Sequence, residues 1–234
     1  AVQAAYQNDG HLFTLRGTYQ DIPRQGFANQ RMDMLGNEGK TLSGTYKGAF
    51  HWGQLEANAF WHGTRHYMNF LKDKGGSTPA TGMPMRTDGV DFGYAVKAVV
   101  DLGANRKLRI GNEFHGQRLD DWWDPVAGMR TSMCCNTFWN IRNGQRDRFS
   151  SFAEMENRWN PQWVSTFGIR TDIVHMNTGT VQGYSNVNVG PGMMGPMVTV
   201  NYLQDAAAFN AARREKTDVN LDLAAVTKYE PDAS

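Results

Sequence analysis

The sequence predicts an all-β protein, an antiparallel up-and-down sheet of about eight strands forming one segment of a membrane-spanning β-barrel. Three observations lead there: period-two alternation that recurs along the chain, connections that alternate short and long, and aromatic side chains collected at strand ends. Alternation marks strands with one apolar face, and segregated loop length marks a barrel with short turns on one side of a membrane.

The alternation is clearest from Asp91 to Leu102, where Phe92, Tyr94, Val96, Ala98, Val100 and Leu102 share a face opposite Lys97 and Asp101. From Lys40 to Trp52, Leu42, Gly44, Tyr46, Gly48, Phe50 and Trp52 oppose Thr41, Ser43, Thr45, Lys47 and His51. Phe149, Ala153, Met155 and Trp159 alternate with Arg148, Glu154, Glu156 and Arg158, and Phe167, Ile169 and Ile173 with Arg170 and Asp172. At the far end Val219, Leu221, Leu223, Ala225 and Tyr229 alternate with Asn220, Asp222 and Lys228. His11–Gln20, Leu55–His66 and Leu108–Leu119 are less regular members, giving eight segments of about 10–14 residues, long enough for a tilted strand to cross a bilayer.

Short connections fall at Asn8-Asp9-Gly10, Gly53-Gln54, Gly103 to Arg106 and Asn160-Pro161-Gln162, each rich in turn formers. Long ones are expected over 21–39, 67–87, 120–146 and 178–216. Trp52, Trp159 and Trp163 stand by the short turns, Tyr19 and Tyr67 towards the long loops, as two interfacial girdles would. The rival arrangement is a soluble all-β binding or carbohydrate-active domain, in which the Phe92-to-Leu102 face is buried against a second sheet.

Composition narrows the classes further. The 234 residues carry 24 basic and 23 acidic side chains, a net charge of +1 that offers no basic excess for nucleic acid. Mean hydropathy is -0.56, which a barrel tolerates because only alternate residues meet lipid. No apolar run reaches the length of a membrane helix. Cys134 and Cys135 are adjacent and cannot build a disulfide framework. Ala1–Tyr6 lacks the charged and apolar regions of a signal peptide. The chain opens inside an alternation and stops at Glu230-Pro231-Asp232-Ala233-Ser234, so residues 1–234 are expected to be a partial barrel domain whose sheet is open and curved.

No nucleophile elbow, phosphate-binding loop, C-x-x-C or H-E-x-x-H occurs, so no catalytic residue or cofactor is assigned and an enzyme is not expected. Glu154 and Glu156 share a polar face and would suit an acid–base pair, but a ladder of lumenal charges paired across strands is the favoured expectation. The methionines are less usual. Met32, Met34, Met68, Met83, Met85, Met129, Met133, Met193, Met194 and Met197 fall in or beside the expected long loops. One reading is flexible packing where loops fold inward. The other is a soft-metal site, because thioether and thiolate select Cu(I). Met129, Met133, Cys134, Cys135, His175 and Met176 are its candidate ligands, whereas His66 reads as a rim residue.

The segments bordering the long loops carry a further signal. Leu119-Asp120-Asp121-Trp122-Trp123-Asp124-Pro125-Val126, Asn136 to Gly144, Arg146-Asp147-Arg148, Met176 to Tyr184 and Asp205 to Asn210 resemble the barrel of TonB-dependent outer-membrane receptors. The resemblance implies one stretch of a barrel of about 22 strands in the bacterial outer membrane. Its implied function is active uptake of a scarce nutrient, a metal or siderophore-type metal chelate. The partners it implies are outer-membrane lipid and TonB, the latter through an N-terminal plug region outside this sequence. A passive porin, which lacks a plug, is the rival within the same fold.

Overall fold

The computed structural model describes residues 1–126, 136–183, 187–189, 198–200, 202–212 and 214–231. Its main body is one antiparallel sheet of nine strands: β1 (Val2–Asn8), β2 (His11–Ile22), β3 (Asp33–Phe50), β4 (Gly53–Asn69), β5 (Met85–Asp101), β6 (Arg106–Trp123), β7 (Phe138–Arg158), β8 (Trp163–Asn177) and β11 (Lys216–Tyr229). Each strand pairs with the one before it in the chain, and β11 follows β8 across a long loop. That loop holds a small hairpin of β9 (Val187–Val189) and β10 (Val198–Val200) and a helix, Tyr202–Ala211. The first and last strands of the sheet do not pair, so the sheet is open, and β1 and β11 are exposed throughout.

Nine strands form where about eight are expected, because residues 2–8 make a strand of their own. The Asp9-Gly10 turn sets it up: both residues have positive φ, 42° and 82°, the backbone of a two-residue hairpin that matches sheet twist. The second short connection is His51-Trp52, and Gly53 opens β4. At the Asn160 turn the side-chain oxygen accepts from the backbone N–H groups of Gln162 and Trp163 at 3.0 and 2.9 Å, closing an Asx-type turn. The strands are also longer than the alternation predicts. β3, β5, β6 and β7 run 18, 17, 18 and 21 residues, and the long loops shrink to 23–32, 70–84, 124–137 and 178–215.

Register places the two sets of side chains on opposite faces. Leu15, Gly44, Ala59, Tyr94, Phe114, Phe149, Ile173 and Val219 form one continuous row across eight strands. One step along each strand lies the row Thr14, Thr45, Asn58, Ala95, Glu113, Ser150, Asp172 and Asn220 on the other face. A one-residue slip would exchange the faces everywhere. The apolar face is open: Val2, Leu15, Leu42, Tyr94, Val96, Ile110, Phe149, Phe167, Ile173 and Leu221 are all exposed. Extensive contacts run only between neighbouring strands, so among the described residues no second sheet covers this face, which is what the soluble rival requires.

The belt has a finite height. Phe92 to Leu102 is ten steps, about 34 Å at about 3.4 Å per residue, or about 26 Å at the roughly 40° tilt of barrel strands, against a band of about 25 Å in such barrels. Trp159 and Trp163 border it at the turn end, Trp163 within 4.9 Å of the Tyr229 ring. Beyond Phe92 the same outer face turns charged, with Lys40–Glu38 at 2.7 Å, Arg118–Asp147 at 2.6 Å and Arg86–Asp124 at 2.7 Å. Asn112, a polar side chain inside the belt, shares its row with Ser151 and Thr171 and is satisfied. Asn112 accepts from the Tyr94 hydroxyl at 2.8 Å and donates to the Ser150 carbonyl and Ser151 hydroxyl at 3.0 and 2.9 Å, as a low-dielectric setting demands.

Candidate functional site

The polar face is a ladder of cross-strand charges. Arg109 holds both Glu154 and Glu156, at 2.6 and 2.7 Å, so these two glutamates share one guanidinium. Glu113 accepts from Arg148 at 3.2 Å and from Arg170 at 2.5 Å, and Arg170 also grips Asp172 at 3.0 Å. Ser150, only 1% exposed, donates to Asp172. Nearer the long loops Asp91 accepts from Gln117 at 2.8 Å, with His115 at 3.3 Å and His62 at 4.0 Å. Side chains of this kind suit a wet or plugged lumen and would be costly against lipid.

Glycines let aromatic rings lie across this framework. A Cβ on Gly111 would stand 2.2 Å from the Phe152 ring, and one on Gly116 would stand 2.6 Å from Phe92. Each ring therefore rests flat on the neighbouring strand, Phe152 on the polar face and Phe92 on the apolar one.

Above the ladder the strands project past the belt and hold the long loops. The 23–32 loop is pinned by Lys74, whose ammonium donates to the carbonyls of Phe27 and Gln30 at 2.7 and 2.9 Å and to Asp33 at 2.5 Å. The Lys74 hydrogen bond, helped by the Phe27 backbone N–H, holds the Asp33 carboxyl below its ordinary pKa; Asp33 lies far beyond the belt, at the first position of β3. In the 178–215 loop the Asn210 side-chain amide pairs with the backbone N–H and C=O of Val181, at 2.8 and 2.7 Å. Arg214 donates to the carbonyls of Thr178 and Asn210 at 3.0 and 2.6 Å. These bonds seat the helix Tyr202–Ala211 beside the sheet.

Under that helix the polar face opens into a cleft of about 550 Å³, lined by Asp91, Gln117, Arg146, Met176, Phe209 and Arg214 among others. Asp91, Gln117, Arg146 and Met176 form one cross-strand row over β5 to β8, which makes the cleft floor.

The candidate metal ligands divide. Met129, Met133, Cys134 and Cys135 lie outside the described residues. Met176 lines the cleft. His175, its neighbour in β8, projects to the opposite face, as strand alternation requires, and its Nδ1 lies 3.1 Å from the Thr217 hydroxyl. Met34, Met68 and Met85 stand on strands and not in loops, consecutive in one cross-strand row with Trp123 and Phe138; Met34 is 5% exposed. Those three act as packing. Among the described residues no cluster of three or more His, Cys, Asp or Glu is placed to hold a metal ion. The row Asp91–Gln117–Arg146 was not legible in the sequence as a site, because it needs strand register, which alternation alone does not set.

An open sheet with a lipid-height apolar belt on one face, a charged ladder on the other and its long loops at one end is the wall of a membrane β-barrel. No family model matches the chain, and no curated protein matches it. Solved structures do. A chain described as "Copper transporter OprC" superposes with a TM-score of 0.61 at 13% identity, over 96% of this chain and 32% of its own length. At that identity the likeness is one of fold, and this chain spans about a third of the transporter it resembles.

Proposed function

We propose that this chain is part of the barrel wall of a bacterial outer-membrane, TonB-dependent receptor that takes up a scarce nutrient, a metal ion or metal chelate. The carrying observation is the division of one sheet into an apolar belt and a charged ladder, with a loop-roofed cleft at the top of the ladder. The belt would meet outer-membrane lipid, the ladder would face a plugged lumen, and the loops would meet the ligand. TonB would engage a plug region outside this sequence, and the protein would move its ligand without altering it chemically. The fold likeness to a copper transporter supports the choice of a metal. In the copper form of the proposal, Met129, Met133, Cys134 and Cys135 supply soft ligands, and Met176, which lines the cleft, is a further one; His175 faces the other side of the sheet, beside Thr217, and takes no part.

The experiment is metal accumulation by cells expressing the complete receptor, with and without collapse of the proton-motive force. The intact receptor is also titrated with Cu(I) against a chromogenic Cu(I) chelator. Energy-dependent accumulation is expected, and copper loading that falls when Met133, Cys134 and Cys135 are replaced by serine. Accumulation indifferent to the proton-motive force would make the barrel a passive porin. Energised uptake with no Cu(I) bound would leave a receptor for some other nutrient.

A further inference from the structure

We infer that the cleft beneath the helix Tyr202–Ala211 is a binding site for an organic anion bearing carboxylates, free or as part of a metal chelate; its use in transport rests on the uptake reading above. The charge balance of the lining points there. Arg146 projects from the middle of the floor row, and among the described residues it makes no hydrogen bond, ion pair or ring contact. Deeper in the ladder the arginines hold carboxylates, Arg109 two of them and Arg148 and Arg170 sharing Glu113. Arg214 meets the cleft from the roof and spends two nitrogens on neutral carbonyls, of Thr178 and Asn210, which orient the guanidinium but leave its charge unbalanced. Arg118, also in the lining, is already neutralised by Asp147, each of two nitrogens meeting one carboxylate oxygen at 2.6 and 3.1 Å.

The lone carboxylate of the lining, Asp91, sits at the end of the floor row and is engaged by Gln117 and His115. The cleft therefore presents two uncompensated cations to one anion. Guanidinium forks match carboxylates in pairs of parallel hydrogen bonds. The remaining walls are apolar, from Leu119, Ile141, Met176 and Phe209. A bare inorganic ion would leave them wet, whereas a ligand with a carbon skeleton covers them.

The test uses the complete receptor in detergent and isothermal titration with four probes: citrate, its iron(III) complex, inorganic phosphate and ferrichrome, an uncharged iron(III) tris-hydroxamate. Citrate or ferric citrate should bind, and Arg146→Gln or Arg214→Gln should weaken that binding about tenfold each, with Arg146→Lys recovering part of the loss. Ferrichrome should not distinguish the variants. Retention of the heat-modifiable folded band on electrophoresis separates lost binding from lost folding, and because Arg146 has no partner its variants should keep it. No binding of either citrate form, equal binding by all variants, or phosphate binding as tightly as citrate would overturn the inference. Energised uptake insensitive to both arginines would remove the anion site and leave the receptor standing. Arginine-dependent citrate binding without energised uptake would do the reverse.

Discussion

Val96→Arg should lower the stability of the folded barrel in lipid by about 2–4 kcal/mol, the cost of a cation at the middle of a barrel's lipid face. Val96 is 39% exposed on the apolar face, between Ala57 and Asn112 in its cross-strand row. The guanidinium would have no partner there, because the Asn112 side chain is committed to Tyr94, Ser150 and Ser151. Asn58→Arg is the matched control, one position from Val96's partner Ala57 and on the charged face. It should cost well under about 1 kcal/mol, as exposed polar-to-charged changes do. Urea titration of the complete barrel refolded into vesicles, followed by heat-modifiable mobility, reads both. Equal costs at the two positions would mean that the faces do not differ in environment.

Gly53→Ala is expected to destabilise on the order of 3 kcal/mol, and to lower the yield of folded protein. Gly53 opens β4 with φ of 141°, and a Cβ there would stand 1.9 Å from the Val99 carbonyl oxygen of the adjacent strand. The clash is with backbone, so no rotamer relieves it, and it adds to the strain of a positive φ in an L-residue. Gly103→Ala separates the two contributions. Gly103 also has positive φ, 104°, at a short turn, but its added Cβ would meet nothing within 4 Å. Conformational strain alone, about 1 kcal/mol, should remain. Comparable losses at both turns would mean that the β4–β5 ladder can give way at Val99.

The alternation of β5 was legible because its outward face is apolar throughout, with Phe92, Tyr94, Val96, Ala98 and Val100 in turn, while Asp91, Lys97 and Asp101 mark the other side. β4 was harder to read for a reason visible in its packing. Its outward residues Ala57 and Ala59 are small, since Tyr46, Tyr94 and Val96 beside them fill the belt, and Phe60 stands on the polar face, 5.8 Å from His115. β1 shows an alternation, Val2, Ala4 and Tyr6 against Gln3 and Gln7, but its seven residues fall short of the roughly 10–14 of the other segments, and its identity depends on the Asp9-Gly10 turn that pairs it with β2. The long loops read as too long because the alternation rule reports lipid. Past the belt the strands continue on backbone pairing, with charged and aromatic partners on both faces and register slips between Leu119 and Trp122.

The site was less legible than the fold. Methionines at 34, 68 and 85 were legible as a cluster, but only cross-strand pairing reveals that they pack on one another. His175 and Met176 are adjacent in the sequence, and for that reason they face opposite sides of the sheet. The unbalanced Arg146 could not be picked from the many arginines by sequence, since only register shows that Gln117 and Met176, and no carboxylate, stand opposite it in the cleft floor.

The most direct test of the central claim is a nitroxide scan of residues 91–102 in the complete barrel, reconstituted in lipid after Cys134→Ser and Cys135→Ser. Each position in turn carries a single spin label, and its collisions with oxygen and with a water-soluble nickel chelate are measured. A two-residue period is predicted: oxygen accessibility high and nickel accessibility low at Phe92, Tyr94, Val96, Ala98 and Val100, with weaker oxygen exposure at the positions between. Low accessibility to both reagents at those five positions would mean that the face is buried in protein, and the membrane-barrel account would fall.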